Sequence, residues 1–330
     1  MLSTEDIKRG LKFSIAEGFF AHMYANLTGS VFLPAFALLL MASDLTIGFL
    51  ASIPFFATIA QVLGSLIVER YRQRKKTALI MAFISRMLWL PVIVLTFFLF
   101  DENRDLLLTL VISIIIVHHI FGSISGVAWL SWMSSLVPPA IRGRFFGLRN
   151  SFLGIVTIVI TLVGGVFLDW FRNTFPAIPL SWSFMILFFV AVVFGAISTI
   201  LLSRQPDIEE PVRDPVSLRT MFSGPFQNIA FRKLIRFAVL WSFAVNFASP
   251  FYIVYMIRDL ALSYTLVSAM AIFSALADLF GMGFWGHFSD KHGNRPVVII
   301  SAVMGAILPS LWIFTVNSTF SLLFLIPVLH

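Results

Sequence analysis

The sequence predicts an all-α polytopic membrane protein, and three observations carry that prediction. Hydrophobic residues fill 59% of the 330 positions and charged residues only 12%, against roughly a quarter charged in a soluble domain. Mean hydropathy is +0.94. The apolar residues are gathered into runs long enough to cross a bilayer core, which takes roughly 20 residues in helix. The 37 phenylalanines suit a surface that faces lipid. Net charge is +7, but the basic residues are interrupted throughout by apolar runs. That arrangement fits the cytoplasmic loops of a membrane protein and excludes a nucleic-acid partner. With no cysteine, a disulfide framework, a thiolate metal site and a cysteine nucleophile are all ruled out.

The spans follow in order. The first, 14–41, comes after Lys8, Arg9 and Lys12, and its apolar stretch is too long for a cleavable signal. Spans 2 (45–68) and 3 (77–100) flank a basic run from Arg70 to Lys76. Span 4 (106–136) and span 5 (151–171) flank Arg142, Arg144 and Arg149. Span 6 (178–202) precedes the only long polar segment, which begins SRQPDIEEPVRDP at residue 203. Spans 7 (234–257), 8 (262–287) and 9 (296–316) follow, with Lys291 and Arg295 between the last two. A tenth begins near Ser318 and runs into His330. Nineteen of the 23 basic residues then fall on one side of the membrane, which makes that side cytoplasmic and places the N-terminus there. The domains are accordingly an N-terminal six-helix bundle (1–203), a cytoplasmic linker (204–233) and an incomplete C-terminal bundle (234–330).

The halves repeat with an offset of about 220 residues. Asn26 matches Asn246, Pro34 matches Pro250, Pro91 matches Pro309, and the basic loop RQRKK (72–76) matches HGNRP (292–296). By that ruler His330 corresponds to Leu110, early in span 4, and about 90 residues of the second half are expected to be missing.

Two six-helix halves, a cytoplasmic linker and basic loops after spans 2 and 8 resemble the major facilitator superfamily of secondary transporters, here in a C-terminally truncated, prokaryotic-type form. The most specific match is GHFSDKHGNRPV (286–297), which is similar to that superfamily's loop signature G-x-L-A-D-[RK]-x-G-[RK]-[RK]. Gly286, Asp290, Lys291, Gly293 and Arg295 fall on its positions, while Phe288 and Asn294 depart. The first-half counterpart is degenerate but keeps Arg74 and Lys75. The resemblance implies that these residues form a cytoplasmic gating loop, in which Asp290 pairs with a neighbouring cation or faces a helix N-terminus. The segment WLSWMSSLVPPAIRGRFFGLRN (129–150) is also similar to many prokaryotic members.

An ionisable group within a span is costly and by default functional. Glu17, His118, His119 and Asp278 are candidates for carrying a coupling proton. His118 and His119 lie in a run, HHIFGSISG (118–126), that is faintly similar to the family's span-4 pattern. A histidine changes charge near neutral pH. Arg86 is equally deep in span 3 and is expected to have a partner other than Asp278. His22, Asn26, His118, His119, Trp241, Asn246 and Tyr252 are expected to line a substrate cavity at the interface between the repeats.

No GxxxxGK[ST], HExxH or GxSxG motif appears, so neither direct ATP use nor an enzymatic activity is expected, and no cofactor or metal is called for. The function implied is proton-coupled secondary transport of a small solute by alternating access, in the cell (inner or plasma) membrane. The partners are a small-molecule substrate, H+ and the lipid bilayer, and the protein is expected to be a monomer. Export of an amphipathic, weakly charged molecule is favoured. The alternatives are a non-transporting receptor or scaffold of the same fold, or an inactive fragment.

Overall fold

A computed structural model of the protein describes residues 4–71, 73–207 and 227–316, together with 318 and 326. Residues 208–226 of the expected linker and most of the expected tenth span lie outside the described residues, as do the side-chain positions of Asp278 and Gly286. The described residues form helices and no strand. Among the described residues, seven segments are long and apolar enough to cross a membrane by length and composition.

The helices break where local chemistry demands it. Span 1 runs over Thr4–Thr28 and resumes at Phe32–Leu39; between them Ser30 takes a left-handed φ of 43°, which sets the second piece at a new angle. Span 2 comprises Asp44–Ala57 and Ala60–Tyr71. Ser43 starts it by accepting from the Thr46 N–H at 3.3 Å, and Pro54 inside the first piece removes one ladder hydrogen bond. Span 3 divides at Leu88 into Arg74–Met87 and Trp89–Leu99, because Pro91 has no N–H to offer Met87. Span 4 is one helix, Arg104–Leu136, capped by Asn103, which accepts from Leu106 N–H at 2.9 Å. Spans 5 and 6 are Arg142–Thr174 and Ser181–Ser203. Span 7 is Ile229–Val254, ending in a wider turn at Tyr255–Asp259. Span 8, Tyr264–His292, stops at Gly293, whose φ of 81° a side chain would resist. Span 9 is Asn294–Leu311.

Several helices begin earlier than hydropathy places them. Span 1 starts ten residues before 14, and span 5 starts at Arg142 rather than 151. Apolar content marks only the part in the hydrocarbon core, whereas the helix continues through the interface. The consequence for span 5 is that Arg149, counted above among the loop charges, is a buried helical residue.

Spans 1 and 6, 3 and 4, 2 and 4, and 1 and 5 pack closely in the first half. Their core includes Phe32, Phe36, Trp89, Phe184 and Phe188, all fully buried. Span 8 packs against span 5 and joins the halves. The breaks at residues 73, 137–141, 204–207 and 293 share one end of the bundle, the basic end. At the opposite end the halves meet closely. Arg258 donates to Asp44 at 2.6 Å. Asp169 accepts from the Tyr264 and Thr265 N–H groups at 3.0 and 2.7 Å, capping span 8. Gly165 lets span 5 lie against the Tyr264 carbonyl and Ser268. Toward the basic end the first turns of span 7 stand away, with Ile229, Leu234, Val239 and Leu240 exposed.

Candidate functional site

A cavity of about 710 Å³ lies between the halves, lined by spans 1 to 5, by Leu202 at the end of span 6 and by one face of span 7. Its wall holds Glu17, His22 and Tyr24 from span 1, Ser85 and Arg86 from span 3, His118 and His119 from span 4, and Arg149 from span 5. Span 7 contributes Asn246, Ser249, Pro250 and Ile253, a spacing of three, four and seven residues that occupies a single helix face.

The charged centre of this wall is Glu17. Its carboxylate accepts from Arg86 Nη2 at 3.1 Å and from Ser198 Oγ at 2.9 Å through Oε1. Through Oε2 it takes a longer contact from Arg149 Nη2, at 3.5 Å. The three side chains are 5%, 11% and 9% exposed. Arg86 also donates to Thr199 Oγ1 at 2.8 Å. Arg149 donates through Nε to the Ser14 carbonyl at 3.3 Å, and its guanidinium lies 4.7 Å from the Trp129 ring centre. Gly18 makes this possible, since a Cβ there would collide with the Arg149 guanidinium. The cluster is unbalanced, with two buried cations against one carboxylate. Removing the carboxylate would leave both cations uncompensated, at a cost of about 3–5 kcal/mol.

His118 belongs to a second, neutral cluster. Its Nδ1 donates to the Ser85 carbonyl at 2.9 Å, and the Ser85 hydroxyl donates back to the His118 carbonyl at 3.0 Å. Tyr24 Oη stands 3.4 Å from the same ring nitrogen, and Trp89 packs edge-on. The His119 ring sits 4.8 Å from that of His118. These bonds tie spans 3 and 4 together.

The expected cavity residues divide. His22, His118, His119 and Asn246 line the cavity, as does Glu17. Asn26 does not: its amide donates to Thr157 Oγ1 at 3.1 Å and joins spans 1 and 5. Trp241 and Tyr252 are corrected as well. At 100° per residue both lie on the face of span 7 opposite Asn246 and Pro250. Trp241 stacks on Phe237, and Tyr252 stacks on Trp312 at 4.6 Å, inside the second half. Asp278, whose side chain lies outside the described residues, is on span 8, and Arg86 has Glu17 for its partner.

The loop residues lie at the basic end. Arg74 donates to Ser135 Oγ at 3.1 Å and Lys75 to the Gln205 carbonyl at 2.7 Å, so both are engaged within the first half. Asp290, Lys291 and Arg295 are exposed. Among the described residues no ion pair joins them.

Sequence reasoning missed Arg149, Ser198 and Trp129. A signal for Arg149 was present: Phe145, Arg149, Leu153, Val156 and Ile160 form one buried stripe along span 5, so the arginine sits in an apolar register.

The family model of the Major Facilitator Superfamily matches residues 18–256. Among solved structures, the nucleoside transporter NupG, in a single-substitution form, is similar with a TM-score of 0.71. That likeness covers 98% of this chain and 78% of that one at 15% sequence identity, and so speaks for the fold alone. No curated protein matches. A match across most of the chain, on an all-helical bundle whose halves flank a cavity, makes this protein a member of the Major Facilitator Superfamily, a family of secondary transporters.

Proposed function

We propose that the protein is a proton-coupled carrier of a small solute, working by alternating access in the cell membrane, with Glu17 as the group that takes and releases the proton. One observation carries this reading. A carboxylate that is 5% exposed sits in the wall of the cavity between the halves, and an ionisable group at that depth is by default functional. The charge bias of the loops puts the N-terminus and the basic end in the cytoplasm. On that orientation the cavity opens to the cytoplasm, and the contacts of Asp44, Asp169 and Gly165 seal the outer end.

His118 is the weaker proton carrier of the two clusters. Its Nδ1 proton is already committed to the Ser85 carbonyl, and gaining a second would place a new cation beside Arg86.

The test is uptake of radiolabelled gluconate, p-aminohippurate and uridine into proteoliposomes, under a pH gradient with the bath more acidic. The solute that accumulates in the wild type is expected to exchange across the membrane in Glu17→Gln as well, but no longer to accumulate. Accumulation that survives Glu17→Gln, or that ignores the pH gradient, overturns the reading.

A further inference from the structure

We infer that the solute is a small organic anion, bound by Arg149 and Arg86 in place of the Glu17 carboxylate, and carried in the same direction as the proton. The inference rests on the proton role proposed for Glu17 and adds the substrate class and the sign of coupling.

The argument starts from charge. Two guanidinium groups and one carboxylate give the cavity wall an excess positive charge. Nothing on span 7 balances it, because Asn246, Ser249, Pro250 and Ile253 are all uncharged. Buried cations in excess attract an anion. Glu17 already occupies the anion's place, but unevenly. Oε1 is held by two short bonds, from Arg86 and Ser198, whereas Oε2 meets Arg149 only at 3.5 Å. Arg149 is therefore the cation most easily taken by a competing carboxylate or phosphate, which a guanidinium grips through two parallel N–H groups. The Trp129 ring beneath it supplies a flat apolar surface, and the indole Nε1 is buried without a hydrogen-bond partner.

Coupling follows from conservation of charge. In the empty cavity the cluster is two cations and one anion. When an external anion takes the arginines, Glu17 is left in a buried wall with its ion pairs weakened and binds a proton. The loaded cluster is again two cations and one anion, and the net charge is the same before and after. The ionisable groups that face Glu17 do not upset this balance. Among the described residues they are Arg86 from span 3, Arg149 from span 5, His22 and Tyr24 on its own span, and His118 and His119 from span 4, with the hydroxyls of Ser198 and Thr199 from span 6. Anion and proton therefore bind together. With protons driven inward, the carrier imports, which reverses the export direction that composition alone had favoured.

The experiment uses the full chain in detergent, with gluconate, inorganic phosphate, p-aminohippurate and the methyl ester of p-aminohippurate as probes, in weak buffer with a pH dye. At least one anion is expected to bind with uptake of roughly one proton per anion, and the uncharged ester is expected not to compete. Arg149→Gln, which leaves Arg86 and Glu17 as a balanced pair and so spares the fold, is expected to weaken anion binding by about ten- to hundredfold. Glu17→Gln is expected to bind the anion at least as well as wild type, with no proton uptake, and to gain more thermal stability from it. Binding of the ester as tightly as the acid, or of none of the three anions, overturns the anion assignment. Anion binding without proton uptake in the wild type overturns the coupling and the proton role of Glu17 while leaving the anion site standing.

Discussion

The basic end of the molecule and the opposite end, cytoplasmic and outer in the orientation proposed above, are held by different means. At the outer end the halves touch through three devices of unequal strength. The lack of a side chain at Gly165 lets the start of span 8 approach span 5. Asp169 caps span 8 by accepting two backbone N–H groups. An ion pair joins Asp44 and Arg258, whose side chains are 58% and 48% exposed. At the cytoplasmic end, Arg74 and Lys75 spend their bonds inside the first half, and Asp290, Lys291 and Arg295 stand in the open. Charge alone therefore does not decide which end is shut. Backbone-level packing and a cap hold one end, while at the other Asp290, Lys291 and Arg295 are exposed and no ion pair joins the halves among the described residues.

That ranking can be broken from the top. A Cβ on Gly165 would lie 2.7 Å from the Tyr264 carbonyl oxygen, too close for any adjustment of a side chain to relieve. Overpacking of this kind costs about 1–3 kcal/mol. The chain has no cysteine, so a single Gly126→Cys in the cavity wall, where a side chain meets nothing within 4 Å, reports access to the cavity. With Gly165→Leu added, labelling by an impermeant maleimide from outside is expected to rise roughly ten- to hundredfold. No increase would mean that the glycine contact does not hold the outer end. Asp169→Ala in the same background removes both hydrogen bonds and a favourable charge at a helix N-terminus. A lost cap is worth about 1–2 kcal/mol, or roughly five- to thirtyfold in outside labelling. Asp169→Asn keeps an acceptor and is expected to fall between Asp169→Ala and wild type.

How much of this was legible in the sequence depends on what each feature rests on. The helices were, because apolar runs of bilayer length have few other solutions in lipid. The depth of Glu17 and His118 was also legible, since depth follows from counting residues along a span. Pairings were not: Glu17 meets Arg86 and Arg149 from 69 and 132 residues away, and no local pattern joins them. Arg149 was read as a topology charge because hydropathy begins span 5 nine residues too late, although its place in the stripe with Phe145 and Leu153 argued otherwise. Trp241 and Tyr252 were placed by depth without phase. Depth says how far into the membrane a residue lies, but only the neighbouring helices decide which side of span 7 faces the cavity.

The smallest effect belongs to the contact that looks strongest by distance. Arg258 and Asp44 approach to 2.6 Å, yet both are about half exposed, and an exposed ion pair contributes only about 0–1 kcal/mol. Asp44→Asn in the Gly126→Cys background is therefore expected to raise outside labelling by less than about fivefold. That rise should vanish at about 1 M salt, where screening acts over roughly 3 Å. The effect of Asp169→Ala should persist there, because its partners are backbone N–H groups rather than a mobile cation. If Asp44→Asn instead opened the outer end as far as Gly165→Leu does, charge rather than packing would be the latch, and the two ends would work by one principle.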